Sequence, residues 1–161
     1  MSAGSPEKKD SDKSIAANRK ASFNFHLLEK FEAGIQLTGP EVKSIRAGHV
    51  SLNESFARLE NDQLFLHGMH VQPYSHSRVE THEPVRPRKL LLHRREIGRL
   101  VGQVAEKGMT IVPVRIYLKR GLIKVELGLC KGKREYDKRE AVRKKTADRE
   151  AARALAHSVR R

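Results

Sequence analysis

The chain has 161 residues and a formal net charge of +14, with 33 Lys and Arg against 19 Asp and Glu; this leaves room for one domain with tails and makes a polyanion the expected partner. A single cysteine, Cys130, excludes an internal disulfide framework and a cysteine-rich zinc site. No apolar run approaches the roughly 18 residues of a membrane span, and the N-terminus lacks the apolar core of a secretory signal, so the expected compartment is the cytoplasm.

Residues 1–17 are polar and lack apolar periodicity, which predicts a disordered leader. Short strands are predicted at Phe23–Leu28 and Ala33–Leu37. Thr38-Gly39-Pro40-Glu41 has the spacing of a capping box with proline in the first turn, and predicts a helix to about Ala47 that stops at Gly48. Phe56–Glu60 and Leu64–Val71 flank Asn61-Asp62, residue types that accept the positive φ of a tight hairpin. Ile97, Leu100, Val101 and Val104 follow a helical period within His93–Lys107, and Gly108 ends it, although no Ser, Thr, Asp or Asn stands at its start. Val112, Val114, Ile116 and Leu118 alternate with polar neighbours. After Arg120-Gly121, Ile123, Val125, Leu127 and Leu129 do the same, which predicts a half-buried antiparallel hairpin with Pro113 near an edge or a bulge.

These elements predict a mainly β fold: a small antiparallel barrel of about six strands, OB-like, with two or more short helices and a basic C-terminal helical tail. Periodicity alone does not separate it from other small barrels. The boundaries expected are a leader at 1–17, a barrel at 18–134 and a tail at 135–161. Residues 131–161 hold twelve basic and five acidic side chains, half of the net charge of +14, with few apolar residues. A helix over 137–157 would be roughly 30 Å long; polar almost all round, it is expected to fold on a polyanion and to be largely disordered in the free chain.

The histidines do not form a metal site by spacing. His67 and His70, three apart in one predicted strand, point to opposite faces, and His76, His82 and Glu83 lie in a polar loop. No cofactor motif is present, and no metal is expected. The basic clusters are more informative: Arg86-Pro87-Arg88-Lys89 before an apolar run, and Lys131-Gly132-Lys133-Arg134 leaving a strand, where Gly132 permits close approach of a phosphate. Exposed stacking candidates are limited to Tyr74, Tyr117 and Tyr136, which favours folded RNA recognised by shape and phosphates over stacked single strands.

Several longer motifs then fall in order: Asn18-Arg19-Lys20-Ala21, Glu32-Ala33-Gly34-Ile35, Gly39-Pro40-Glu41-Val42-Lys43-Ser44 with Arg46-Ala47-Gly48, Gly68-Met69-His70, Arg86 through Leu92, and Lys131-Gly132-Lys133-Arg134 with Asp137-Lys138-Arg139. With these the chain resembles the small protein B (SmpB) family, the bacterial partner of transfer-messenger RNA. It departs at Pro40, Pro87, Arg134 and Tyr136, none of which removes a charge. The resemblance implies an OB-like barrel that binds the tRNA-like part of transfer-messenger RNA, as a monomer on the RNA. It implies a tail that lies as a helix in the empty mRNA channel of a stalled ribosome. It places Asn18, Arg19, Lys20, Glu41, Lys43, Arg86, Arg88, Lys89, Lys131, Gly132, Lys133 and Arg134 toward RNA. Tyr136, Asp137, Lys138, Arg139, Arg143, Lys144 and Lys145 would lie along the channel. For Glu41 a helix-cap role is equally open. No chemistry is expected of the chain itself: acidic metal clusters and activated nucleophiles are missing from the sequence. The competing reading is a structural rRNA-binding ribosomal protein of OB type.

Overall fold

The computed structural model describes residues 13–73, 83–133 and 135–159, with the backbone alone at 106–107 and 135–137. In chain order they form β1 (Lys13–Ala17), α1 (Arg19–Asn24), β2 (Phe25–Ile35), α2 (Gly39–Arg46), β3 (Val50–Ser51), β4 (Phe56–Glu60), β5 (Gln63–His67), β6 (His70–Val71), β7 (Arg88–Leu91), α3 (Arg94–Lys107), β8 (Thr110–Lys119), β9 (Leu122–Gly132) and α4 (Glu135–Val159).

Six antiparallel strands close a ring in the order β8-β4-β5-β7-β2-β9, with β9 returning to β8. The ring closes between β4 and β8 at the pair Ala57 and Ile111. Both predicted tight hairpins are present. Asn61 and Asp62 (φ 49° and 60°) join β4 to β5, and Arg120 and Gly121 (φ 50° and 76°) join β8 to β9. Pro113, expected near an edge or a bulge, stands at a bulge: the register shifts between Pro113 and Arg115. Leu64, Leu66, Leu90, Ile116, Val125 and Leu127 fill the interior. Ile45 from α2 and Leu100 from α3 are buried with them, and each such side chain contributes about 2 kcal/mol. Val101, predicted on the same stripe, is 39% exposed, so the apolar face of α3 is narrow.

The structure departs from the sequence expectations at definite places. Lys13–Ala17, assigned to a disordered leader, is a strand paired with β8; Ile15 and Ala16 pack on the core, so the segment has apolar surface to bury. The two strands expected at 23–28 and 33–37 are one strand, β2, because Glu29, Lys30 and Glu32 keep the ladder to β9 through a bulge between Leu27 and Glu29. Phe23 belongs instead to α1, which the sequence did not announce. Its partner surface explains a second anomaly: Cys130, expected on the wet face of the hairpin, is buried with Val112 and with Ala21 of that helix.

The strand expected at 64–71 is broken by Gly68, at φ +78°, where a Cβ would lie 2.8 Å from the Glu54 carbonyl oxygen. His67 therefore ends β5, stacked on Phe56 at 5.4 Å between ring centres, while His70 pairs in a separate two-stranded sheet of β3 and β6. The start of α3 is capped by His93, whose backbone N–H donates to Glu96 at 3.2 Å. The tail, expected to be largely disordered in the free chain, is one helix of 25 residues, long enough for propagation to offset the nucleation cost.

Candidate nucleic-acid interface

The Arg86–Lys89 cluster is tied down by Glu41. Thr38 donates its backbone N–H to the Glu41 carboxylate at 3.0 Å, so half of the capping box is made by Glu41 itself. The same carboxylate accepts from Arg86 and from Arg88. Burial alone would raise the Glu41 pKa, but the hydrogen bonds from Arg86, Thr38 and Arg88 outweigh it and hold the group at about 2. Arg88 is fully buried and uses its other donors on the carbonyls of Met69 (2.8 Å), Arg86 (3.1 Å) and Pro84 (3.2 Å). One ionic knot thus joins α2, the β5–β6 turn and β7.

Three residues expected to face RNA are turned inward by this architecture. Glu41 and Arg88 are internal partners. Asn18 is buried as the cap of α1: its Oδ1 accepts from the Ala21 N–H at 3.3 Å, and its Nδ2 donates to the Pro113 carbonyl at 3.0 Å. Each is polar because of a backbone or ion-pair demand that the linear motif does not display. Tyr117, a candidate for exposed stacking, is also buried, with its hydroxyl on Glu32.

Lys89 lies beyond the knot on β7 and opens onto a groove of about 660 Å³, where β2, β5, β7, β9 and the start of α3 bring together Glu32, Gln63, Lys89, Leu91, His93 and Lys124. Leu91 is 51% exposed there. The Tyr117 hydroxyl, and then Lys119 at 3.1 Å, hold the Glu32 carboxyl below its usual pKa. A carboxylate fixed in this way between cations can accept from a ribose or base donor while Lys89 and Lys124 take phosphates. No local pattern in the sequence marks Glu32 and Lys124 as RNA-facing, since residues on different strands converge only once the register is known.

A second basic surface lies at the other end of β9. Lys131 stands opposite His26 in the ladder. Lys133 donates its backbone N–H to the Asn24 carbonyl and its Nζ to the Ser22 carbonyl, both at 2.9 Å. Arg19, Lys20, Lys131 and Gly132 are exposed around it. The tail leaves from this surface: Phe23 of α1 shares a cleft with Lys138, Arg139, Val142 and Arg143 of α4, and Arg139, Arg143, Lys144 and Lys145 are exposed. Lys43 is exposed on α2, and Arg86 is 30% exposed beside Glu41. Arg134, Tyr74, His76, His82 and residues 1–12 lie outside the described residues, as do the side chains of Tyr136 and Asp137. Seven residues of strand separate Lys124 from Lys131, about 24 Å, so the groove and the tail root sit far apart on one barrel.

Among the described residues, no group of three or more His, Cys, Asp or Glu is placed to hold a metal ion, and no helix is long and apolar enough to cross a membrane. Burial raises the pKa of the Cys130 thiol.

A closed OB-like ring with cations at both ends of one strand, and a helical arm rooted at one of them, defines a barrel-type RNA-binding protein. The SmpB protein profile matches residues 15–157. The SsrA-binding protein of Carboxydothermus hydrogenoformans is 56% identical over 144 residues, covering 89% of this chain and 97% of the relative. That of Caldicellulosiruptor saccharolyticus is 51% identical over 153 residues, covering 95% and 97%. A solved chain described as "tmRNA-SmpB: a journey to the center of the bacterial ribosome" is similar with a TM-score of 0.63 and 48% identity, over 80% of this chain and 94% of that one. The chain belongs to the SmpB family.

Proposed function

We propose that this chain binds transfer-messenger RNA and delivers it to stalled ribosomes for trans-translation, the tagging of incomplete proteins. The observation that carries this is the family match running through barrel and tail together, over residues 15–157. On this reading the barrel engages the tRNA-like part of the RNA through the cations of its groove, Lys89 and Lys124. The opposite surface, with Arg19, Lys20, Lys131 and Lys133, faces the ribosome at the root of the tail. Glu41 and Arg88, which anchor β7, and Asn18, which caps α1, act as positioning residues for the cations that those elements carry.

The tail helix of 25 residues, about 37 Å long, lies in the vacant mRNA channel, where Arg139, Arg143, Lys144 and Lys145 meet rRNA phosphates. Downstream message would occupy the same space, so the tail reports an empty channel by competing for it. The protein is a cytoplasmic monomer on its RNA, and no chemical step is assigned to it: peptidyl transfer belongs to the ribosome. A permanent place in the ribosome as a structural protein is not favoured by the family match.

The test is the RNA that co-purifies with the full chain. One short tRNA-like species together with transient ribosome association supports the proposal. Stoichiometric rRNA in mature subunits contradicts it.

A further inference from the structure

Local stability rules are broken by arginine at two places, and both adjoin the groove lined by Lys89 and Lys124. The first is the β8–β9 turn. Arg120 and Gly121 both take positive φ, 50° and 76°. A two-residue hairpin of this kind favours Asn-Gly, because a longer side chain with a Cβ is strained in the left-handed region. Arg120 carries that strain and gains nothing visible from it: its side chain has no hydrogen bond or ion pair among the described residues. The turn itself is held in place from outside, since Arg46 of α2 donates to the Gly121 carbonyl at 3.1 Å. Just past it, Leu122 is 60% exposed. Leu122 and Lys124 lie on the same face of β9, two residues apart, and Lys124 lines the groove.

The second place is the first turn of α3. Arg94 and Arg95 open the helix directly after the cap His93, with both side chains exposed and without a partner among the described residues. Cations at this end oppose the helix dipole, so fold stability alone selects against them. Their neighbours His93 and Glu96 line the groove.

Residues that cost stability without a local return are retained where another interaction supplies it. The geometry points to Arg120 on one rim, and Arg94 with Arg95 on another, as phosphate-binding side chains that extend the groove into a cradle for a folded RNA backbone. Leu122 supplies an apolar surface for a sugar at the tip. This rests on the reading of the groove as the surface for transfer-messenger RNA, and adds to it the residues that grip the flanking phosphates.

The experiment compares the full chain with Arg120→Asn and with Arg94→Ala/Arg95→Ala, using transcribed transfer-messenger RNA across a salt series, with thermal unfolding of each protein alongside. Asn relieves the left-handed strain, and Ala removes like charge from the helix start. Each variant is therefore expected to melt at the same temperature as the parent or roughly 2 °C above it, while RNA affinity falls about 3- to 10-fold. The log–log salt slope should become shallower by roughly 1 for each phosphate that is no longer neutralised. Opposite movement of stability and affinity is the signature that a structural role does not produce. Unchanged affinity and slope overturn the inference, as does a loss of affinity that follows a fall in melting temperature. If the variants bind the RNA normally and lose only ribosome association, the phosphates are those of rRNA and the cradle is refuted. Failure of the parent chain to bind this RNA would remove the functional reading, and the cradle with it.

Discussion

Glu41 and Arg88, 47 residues apart in the chain, meet as a fully buried ion pair. Arg86 and Thr38 bind the same carboxylate, so it fastens the start of α2 to β7. Breaking one partner of such a pair strands the other in a low-dielectric site. Glu41→Gln is expected to destabilise the chain by about 3–5 kcal/mol, read by urea unfolding. Replacing both, as Glu41→Leu with Arg88→Met, should cost less than the single change, because no fully buried charge is left unpaired and Arg86, 30% exposed, can turn to water. A larger loss in the double variant would mean that shape, not charge pairing, makes the knot.

Acid should act through the same carboxylate. Its ordinary pKa of 4.5 is held at about 2 in the folded chain. Between those values the unfolded chain binds more protons, so stability falls as pH drops through the window and is fully present above it. The loss amounts to about 3 kcal/mol at 1.36 kcal/mol per unit. Glu32 and Glu126, also held below 4.5, act in the same direction. Unfolding free energies measured from pH 6 to pH 2.5 should decline, and the decline should be markedly shallower in Glu41→Gln. An equal slope in both proteins would remove Glu41 as the principal titrating group.

Gly68→Ala should destabilise the barrel by more than about 1 kcal/mol, since Ala is strained at positive φ. Its Cβ would also sit 2.8 Å from the Glu54 carbonyl, a backbone atom that cannot swing away. Thermal unfolding checks this. Gly132→Ala, with nothing within 4 Å of the added atom, is the control that should melt normally.

For RNA binding, Lys89→Ala/Lys124→Ala is the informative pair. Both line the groove and neither belongs to the ionic knot, so the fold should hold while affinity drops and the salt slope flattens by roughly 2. Alanine at Arg86 and Arg88 would instead report on folding, because Arg88 is buried with four partners. An unchanged slope in the lysine pair would take the groove out of the interface.

The hairpins were legible because turn chemistry and alternation are local: Asn61-Asp62 and Arg120-Gly121 stand between runs of period two, and the strands formed around them. The helices α2 and α3 were legible from capping spacing and an apolar stripe. The helix α1 was not, since six residues carry too little periodicity, and Asn18 looks the same whether it caps a helix or meets a nucleotide. Burial of charge was equally hidden. Arg86, Arg88 and Lys89 read as one basic cluster, yet strand alternation and the position of Glu41 divide them into an internal tie and a surface cation. Glu32, Lys89 and Lys124 become neighbours only through the order β7-β2-β9, which no local pattern encodes.

On the proposed function, RNA binding resides in the barrel and ribosome sensing in the tail. The barrel holds its last strand through Lys133, which is bonded to Asn24 and Ser22, and residues 143–159 of the tail are exposed along their length. A chain cut after Arg134 should therefore fold and bind transfer-messenger RNA within about 3-fold of the full chain. The deciding measurement is tagging of a truncated-message product in a purified translation system supplied with that cut protein. RNA binding should persist and tagging should be lost; full tagging by the cut protein, or loss of its RNA binding, would overturn the division of roles between barrel and tail.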